Sequence, residues 1–583
     1  MNSRLKTDRR TGWPPCLALF PRLVFFFTCA FALASLAGGC ASTPARHQIS
    51  QPIGPGISQA NTNHADRLPA GNPDAFAHYA AGVSYELNDS ADKALQQFDD
   101  AALADPANEA LVLRLAEHFL SAHQADKAVN LLSKSAQRPN ASEQIYGWLA
   151  RAELVAGNTN ACLAAARKAV EKDPTSVDGY ESLLEPLLQT GQLTEAARLL
   201  SRAGASVARE PHTLAAVAEL YGVYLRAAPK DKSAEDKAVA LLDKVSAMSF
   251  SSPRLWQRVA DLYTRLNQPK KAATIYERLL AGATDASPEK LAYREQLAQI
   301  YLASDDRTNA LKQLTAIVRD DPTGHPNAWF ALGELAVQDE KFRDAIDDFE
   351  NAIRERPDIE PAYYDLALAQ ANAHRTEDAL KTLGSARERF DNMFRYEFYT
   401  GLVQRQAKDY PEAIRHFTAA ETVAKATATN LLDKAFYFEL GAAYERNQQF
   451  AEADHYLQKA IDLDPHFAEA LNYLGFMWAD RGEQLDRARV LIERALKLEP
   501  QNGAYLDSMG WVLYKLKLPD EALPWMLKAV AANPEPDATI LDHLGDVYLA
   551  LGQSGKALDA WRKSVAIDPN PDVKRKVDLN SRS

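Results

Sequence analysis

Cysteine is scarce in this 583-residue chain. There are four, Cys16, Cys29, Cys40 and Cys162, and two of them lie in the first 39 residues. Neither a disulfide framework nor a cysteine metal cluster can be assembled from so few. The twelve histidines are scattered with no pair at zinc spacing, so no metal and no cofactor are expected. Positive charge is also short: 66 Lys and Arg face 78 Asp and Glu, for a net charge of −12. An acidic surface argues against nucleic acid as a partner, because phosphate backbones need basic patches. No Ser/His/Asp or Cys/His arrangement has a supporting sequence context, and no paired carboxylates stand out from the acidic background, as in "DDFEN" at Asp347–Asn351. "GQSGKAL", Gly552–Leu558, has Ala550 where a phosphate loop needs its first glycine, and it joins two helical segments, so it reads as a turn. The chain is expected not to be an enzyme and to have no small-molecule substrate.

Long apolar runs are confined to one place. Arg4, Lys6, Arg9, Arg10 and Arg22 precede the fifteen-residue run Leu23–Ala37, which is short for a membrane span and suited to a signal-peptide core. "SLAGGCAST" follows, Ser35 to Thr43. Gly38 and Gly39 ahead of Cys40 resemble the lipobox of bacterial lipoproteins, with Ala37 at the place usually held by Leu. That resemblance implies cleavage after residue 39, a diacylglycerol on the Cys40 thiol and, because Ala41 is not aspartate, sorting to the outer membrane. Removing the +4 of residues 1–39 leaves −16 on the remainder. Residues 41–74 are rich in Pro, Gly, Ser, Asn and Gln and read as a flexible tether. A coil of 34 residues reaches roughly 30–35 Å. The alternative is an uncleaved anchor at the inner membrane.

From about Asp74 one pattern recurs. A small residue in a helical segment appears at Ala94, Ala128, Cys162, Ala196, Ala238, Ala272, Ala310, Ala345, Ala379, Ala413, Ala453, Ala488, Ala522 and Ala557, in steps of 34 to 42 that are mostly 34 or 35. A period near 34 marks a repeat architecture. Helix-ending prolines keep the same phase at Pro106, Pro174, Pro322, Pro357, Pro465, Pro500, Pro534 and Pro569. Trp329, Leu332, Gly333, Ala345, Phe349 and Pro357 resemble the tetratricopeptide repeat (TPR), as do Leu544, Gly545, Tyr548, Ala557, Trp561 and Pro569. The resemblance extends over about residues 75–570. It implies an all-α fold, a right-handed superhelical solenoid of about 14 helix-turn-helix repeats. Cys162 occupies a small-residue slot and is expected to be buried packing.

Irregular steps coincide with "AAPKDKSAED" (Ala227–Asp236), placed inside one repeat's turn, and with "GATDAS" and "KATATN" between repeats. The expected organisation is a signal peptide (1–39), lipidated Cys40 and tether (40–74), TPR arrays over 75–285, 286–428 and 429–570, and a short basic tail (571–583) that leaves the last pair under-capped.

In this repeat family the first helix of each pair lines a concave groove. Four consecutive repeats hold an aromatic residue at one equivalent, outward-facing place: Phe330, Tyr364, Phe398 and Phe438. Neighbouring places add Tyr399, Tyr473, Phe476, Trp511 and Tyr514, with Asn472, Asp507 and Asp546 between them. Such a stripe suits an extended peptide or an amphipathic helix. The other reading of the same rings is packing between adjacent repeats. The expected function is a scaffold binding other envelope proteins or peptides in an assembly or export machinery, held to the membrane through Cys40. The rivals are an inner-membrane regulatory adaptor and a repeat subunit of a glycosyltransferase system.

Overall fold

The computed structural model describes residues 72–581 apart from 208, 285 and 286. Cys40, the apolar run and the tether lie outside the described residues. Among those described, 29 α-helices follow one another with no strand, as fourteen helix pairs and a single terminal helix. The all-α solenoid of helix-turn-helix repeats is therefore present as expected. The chain divides into two compact units after Gln313, inside the helix Arg307–Asp320.

Each pair is held by the same contact. All fourteen small-residue slots are buried, and Cys162 is one of them. Burial, with the charges of Glu185 and Glu153, pushes the Cys162 thiol up to about 11, so it stays protonated and packs as a small apolar group. In several pairs a glycine on the first helix also admits a large side chain from the second. A Cβ on Gly333 would lie 2.6 Å from the Phe349 ring, and one on Gly545 would lie 2.4 Å from Trp561. Helix ends follow from the prolines: Asp464, ahead of Pro465, takes φ −140° and ψ 97°, out of the helical region.

In the N-terminal unit the charged insertion lies only partly in a turn. It also lengthens the two flanking helices, Pro211–Ala227 and Lys232–Ser246, to 17 and 15 residues. Asp231 caps the second of these by accepting from the Ala234 amide at 3.1 Å and also accepts from the Tyr224 hydroxyl at 2.9 Å.

In the C-terminal unit the extra residues near 428 extend Tyr410–Thr427 to 18 residues and add a 3₁₀ turn, Thr429–Leu431. One apolar core runs past them from Tyr363 to Ala560, so the sheath of packed side chains is unbroken at the boundary expected at 428. The boundary expected at 285 falls on a residue outside those described.

Residues 571–581 differ from the basic tail expected over 571–583. Pro571–Asn580 is a helix, not a tail, capped by the Asn570 side chain, which accepts from the Asp572 amide at 2.9 Å. It buries Val573 against Trp561, and its Lys576 ammonium bonds Asp542 at 2.8 Å and Asp546 at 2.7 Å. The last pair is capped.

Candidate functional site

The first helices of the pairs in the C-terminal unit carry an unusual load of buried charge. Asp and Glu are rarely buried unless partnered, because desolvation opposes the ionised form. Yet Glu334, Asp365, Glu439, Glu445 and Asp507 are all buried, on the helices Pro326–Gln338, Glu360–Asn372, Lys434–Arg446 and Gly503–Lys515.

Three groupings share this set of helices. In the first, Glu334 and Asp365 are near enough to feel each other's charge. Burial, then the charge of Asp365, pushes the Glu334 carboxyl up to about 8. Burial pushes Asp365 up to about 7 against the pull of Arg395. Arg395 lies 3.6 Å from Glu360 and over the Tyr364 ring. Oε1 of Glu334 and Oδ2 of Asp365 are buried without a hydrogen-bond partner.

In the second, Arg405 reaches Glu439 at 2.9 Å with both side chains largely withdrawn from water. Burial, followed by the charge of Glu439, raises Glu469 to about 7, and Arg405 opposes the rise. Tyr473 donates its hydroxyl to Glu445 at 3.1 Å.

In the third, His543 Nδ1 lies 3.0 and 2.9 Å from the two oxygens of Asp507. A carboxylate can only accept, so Nδ1 carries the proton. Burial alone would lower the His543 pKa. The Asp507 charge and hydrogen bond, with Asp542 and Asp546, outweigh burial and raise it. Trp511 stacks on the imidazole and donates its indole N–H to Asp480 at 3.3 Å.

The expected open stripe of rings is closed. Phe330, Tyr364, Tyr399, Phe438, Tyr473, Phe476 and Trp511 are buried, and so is Asp507. Only Phe398, Asn472, Tyr514 and Asp546 keep partial exposure. The rings meet one another across repeats: Tyr364 stacks on Tyr399 at 4.6 Å, and Phe438 meets Tyr473 edge-on at 5.3 Å. Phe398 lies among Phe394, Phe417 and Phe436, with centroids within 6 Å. The outward-facing placement is corrected: an aromatic side chain there gains more from a neighbouring ring than from water. The ring positions join repeats to one another.

Family profiles of the tetratricopeptide repeat match residues 255–289, 295–360, 330–374, 364–430, 435–467, 479–536 and 538–571. The chain belongs to the tetratricopeptide repeat family. A TPR repeat-containing protein of Pseudomonas aeruginosa is 27% identical over 223 residues, which is 36% of this chain and 34% of that protein. The TPR repeat-containing protein YpiA of Bacillus subtilis is 25% identical over 283 residues, 48% of this chain and 64% of that one. The solved structure of the APC/C hetero-tetramer Cut9–Hcn1 aligns with 81% of this chain and 96% of its own at 16% identity, with a TM-score of 0.37. The matches thus span about a third and about two thirds of the two curated relatives.

TPR proteins mediate protein–protein interactions, and no catalytic domain is evident among the described residues of this one. No described helix is long and apolar enough to cross a membrane. Only the start of "GQSGKAL" lies in the turn between the TPR helices Ala538–Ala550 and Ser554–Ile567, with Gly552 at φ +72°; Ser554–Leu558 open the second helix.

The buried groups Glu334, Asp365, Glu439 and His543, and the half-buried Arg405 and Glu469, went unnoticed in the sequence, and the statement that no paired carboxylates stand out is overturned by Glu334 and Asp365. The signal was a charge beside the TPR Leu-Gly pair or its equivalent, as in "LGE" at 332–334, "YDLA" at 364–367 and "FELG" at 438–441. These positions belong to the helix face that neighbouring repeats enclose.

Proposed function

We propose that this chain is a membrane-tethered TPR scaffold of the bacterial cell envelope, in which a partner polypeptide lies along the first helices of the C-terminal unit. In this reading Cys40 bears the lipid, residues 41–74 are the spacer, and the repeats serve an assembly or export machinery. The observation that carries the binding half is the row of buried acids on those helices, with carboxylate oxygens of Glu334 and Asp365 left without partners. A buried polar atom with no hydrogen bond costs about 1–3 kcal/mol, so a face that keeps such atoms is poorly explained as packing alone. A ligand that supplies donors offsets that cost.

Two measurements test the two halves. Photo-crosslinking amino acids at Asn472 and Tyr514, both partly exposed on first helices, should join the chain to a discrete envelope protein; the same probe at Lys497, on the second-helix surface, should not. Equal labelling from all three positions would refute the face. Mass spectrometry of the mature N-terminus should show a diacylated Cys40. An intact Arg22–Gly39 segment would instead mean an uncleaved anchor.

A further inference from the structure

Three acid pairs on first helices of the C-terminal unit, Glu439 with Glu469, Asp542 with Asp546 and Glu334 with Asp365, are not alike, and the difference between them points to a ligand. Glu439 and Glu469 share the field of Arg405, which reaches Glu439 at 2.9 Å. Asp542 and Asp546 hold Lys576 at 2.8 and 2.7 Å, an ammonium delivered by the terminal helix. In both, a basic side chain pairs with carboxylates of first helices, Lys576 by charge-assisted hydrogen bonds to both aspartates and Arg405 as an ion pair with Glu439, whose Oε2 has no aligned hydrogen bond. Glu334 and Asp365 form a pair on the same kind of helix, 8% and 4% exposed, yet Oε1 and Oδ2 accept no hydrogen bond. The nearby guanidinium, Arg395, sits at Glu360.

We propose that the Glu334–Asp365 pair receives one lysine or arginine side chain of a polypeptide bound along the first helices, the role that Arg405 and Lys576 fill at the other two pairs. This rests on the proposed binding face and adds the chemistry of its ligand. A basic side chain fits better than a metal ion, since no group of three or more His, Cys, Asp or Glu able to hold one occurs among the described residues. It fits better than a neutral donor because two carboxylates that both ionise repel each other until a cation lies between them. Entry of the cation returns both carboxyls to the ionised form, so binding near neutral pH expels protons to solvent.

The test uses the full chain in detergent and twin arrays of fifteen-residue random peptides. The second array carries norleucine for every lysine and citrulline for every arginine. The wild type should bind peptides of the first array at least tenfold more strongly than their neutral twins. The double variant E334Q/D365N should bind both twins equally. For a retained peptide, calorimetry of the wild type at pH 7 in two buffers of different ionisation heat should register proton release, which decides the matter if the double variant loses helicity. Twins bound equally by the wild type, or discrimination surviving in a folded E334Q/D365N, would overturn the basic-side-chain assignment while leaving the face intact. A wild type that binds neither array would overturn the face and the assignment together.

Discussion

The indole of Trp511 lies 3.9 Å, centroid to centroid, from the imidazole of His543, with the ring planes 16° apart. The imidazole is held from its edge by Asp507 and from its face by the indole, so an anion and a π-system both favour its protonated form. A stacked histidine whose Nδ1 faces both oxygens of Asp507 ties two successive repeats together.

That arrangement makes stability depend on pH in a definite direction. The His543 pKa is raised in the folded chain, so its contribution is fully present below the unfolded value of 6.5 and is lost as pH rises through the folded value. The variant D507N should be destabilised by about 3–5 kcal/mol at pH 6, because one partner of a buried pair is removed. Its deficit relative to wild type should shrink between pH 6 and pH 9. Urea unfolding across that range, followed by circular dichroism, checks both.

Glu334 gives a slope of its own. Its carboxyl, pushed up to about 8, binds a proton on folding at any pH between the unfolded value of 4.5 and the folded one. Stability therefore falls as pH rises through that window. E334Q removes the titrating group, so its melting temperature relative to wild type should climb from pH 5 to pH 8. A difference independent of pH would contradict the burial of this side chain.

The close approach at the small positions is also measurable. A methyl group on Gly333 would lie 2.6 Å from Phe349, so G333A should cost about 1–3 kcal/mol by overpacking. The double variant G333A/F349L, which removes ring atoms from the same space, should recover part of that loss. A double-mutant cycle in urea reads the coupling, and additivity would show that the two side chains do not meet.

Aromatic truncation separates joining from binding. Phe438 packs on Phe467 and Tyr473, and Trp511 on His543 and Tyr514, so F438A and W511A should each cost about 3–5 kcal/mol. Hydrogen exchange should then rise across the flanking repeats. Ring loss without loss of protection would return these residues to the role of an open stripe.

The repeat phase was legible because one small side chain per pair is a steric requirement that composition cannot disguise. Ala94 through Ala557 all occupy their expected buried places, and Cys162 with them. The rings were legible as a set but misplaced, since position on a first helix does not say whether the next repeat covers it. Covering depends on how two neighbours thirty-odd residues apart approach, as Tyr364 and Tyr399 do. The same separation hid the pairing of Glu334 with Asp365. The terminal helix escaped because "PDVKRKVDLN" has so little apolar content, although Asn570 and Pro571 were an adequate start signal. It docks by two valines and one ammonium, which no periodicity reveals.

That economy has an architectural consequence. The terminal helix recognises the last pair through Val573 and Val577 beside Trp561 and through Lys576 on two aspartates, and the Lys576 charge also reaches Tyr514 of the pair before it. Its fit is thus a property of one docking address rather than of the array's length. The contacts named all come from the last two pairs, so repeats further upstream can be gained or removed without redesigning the closure.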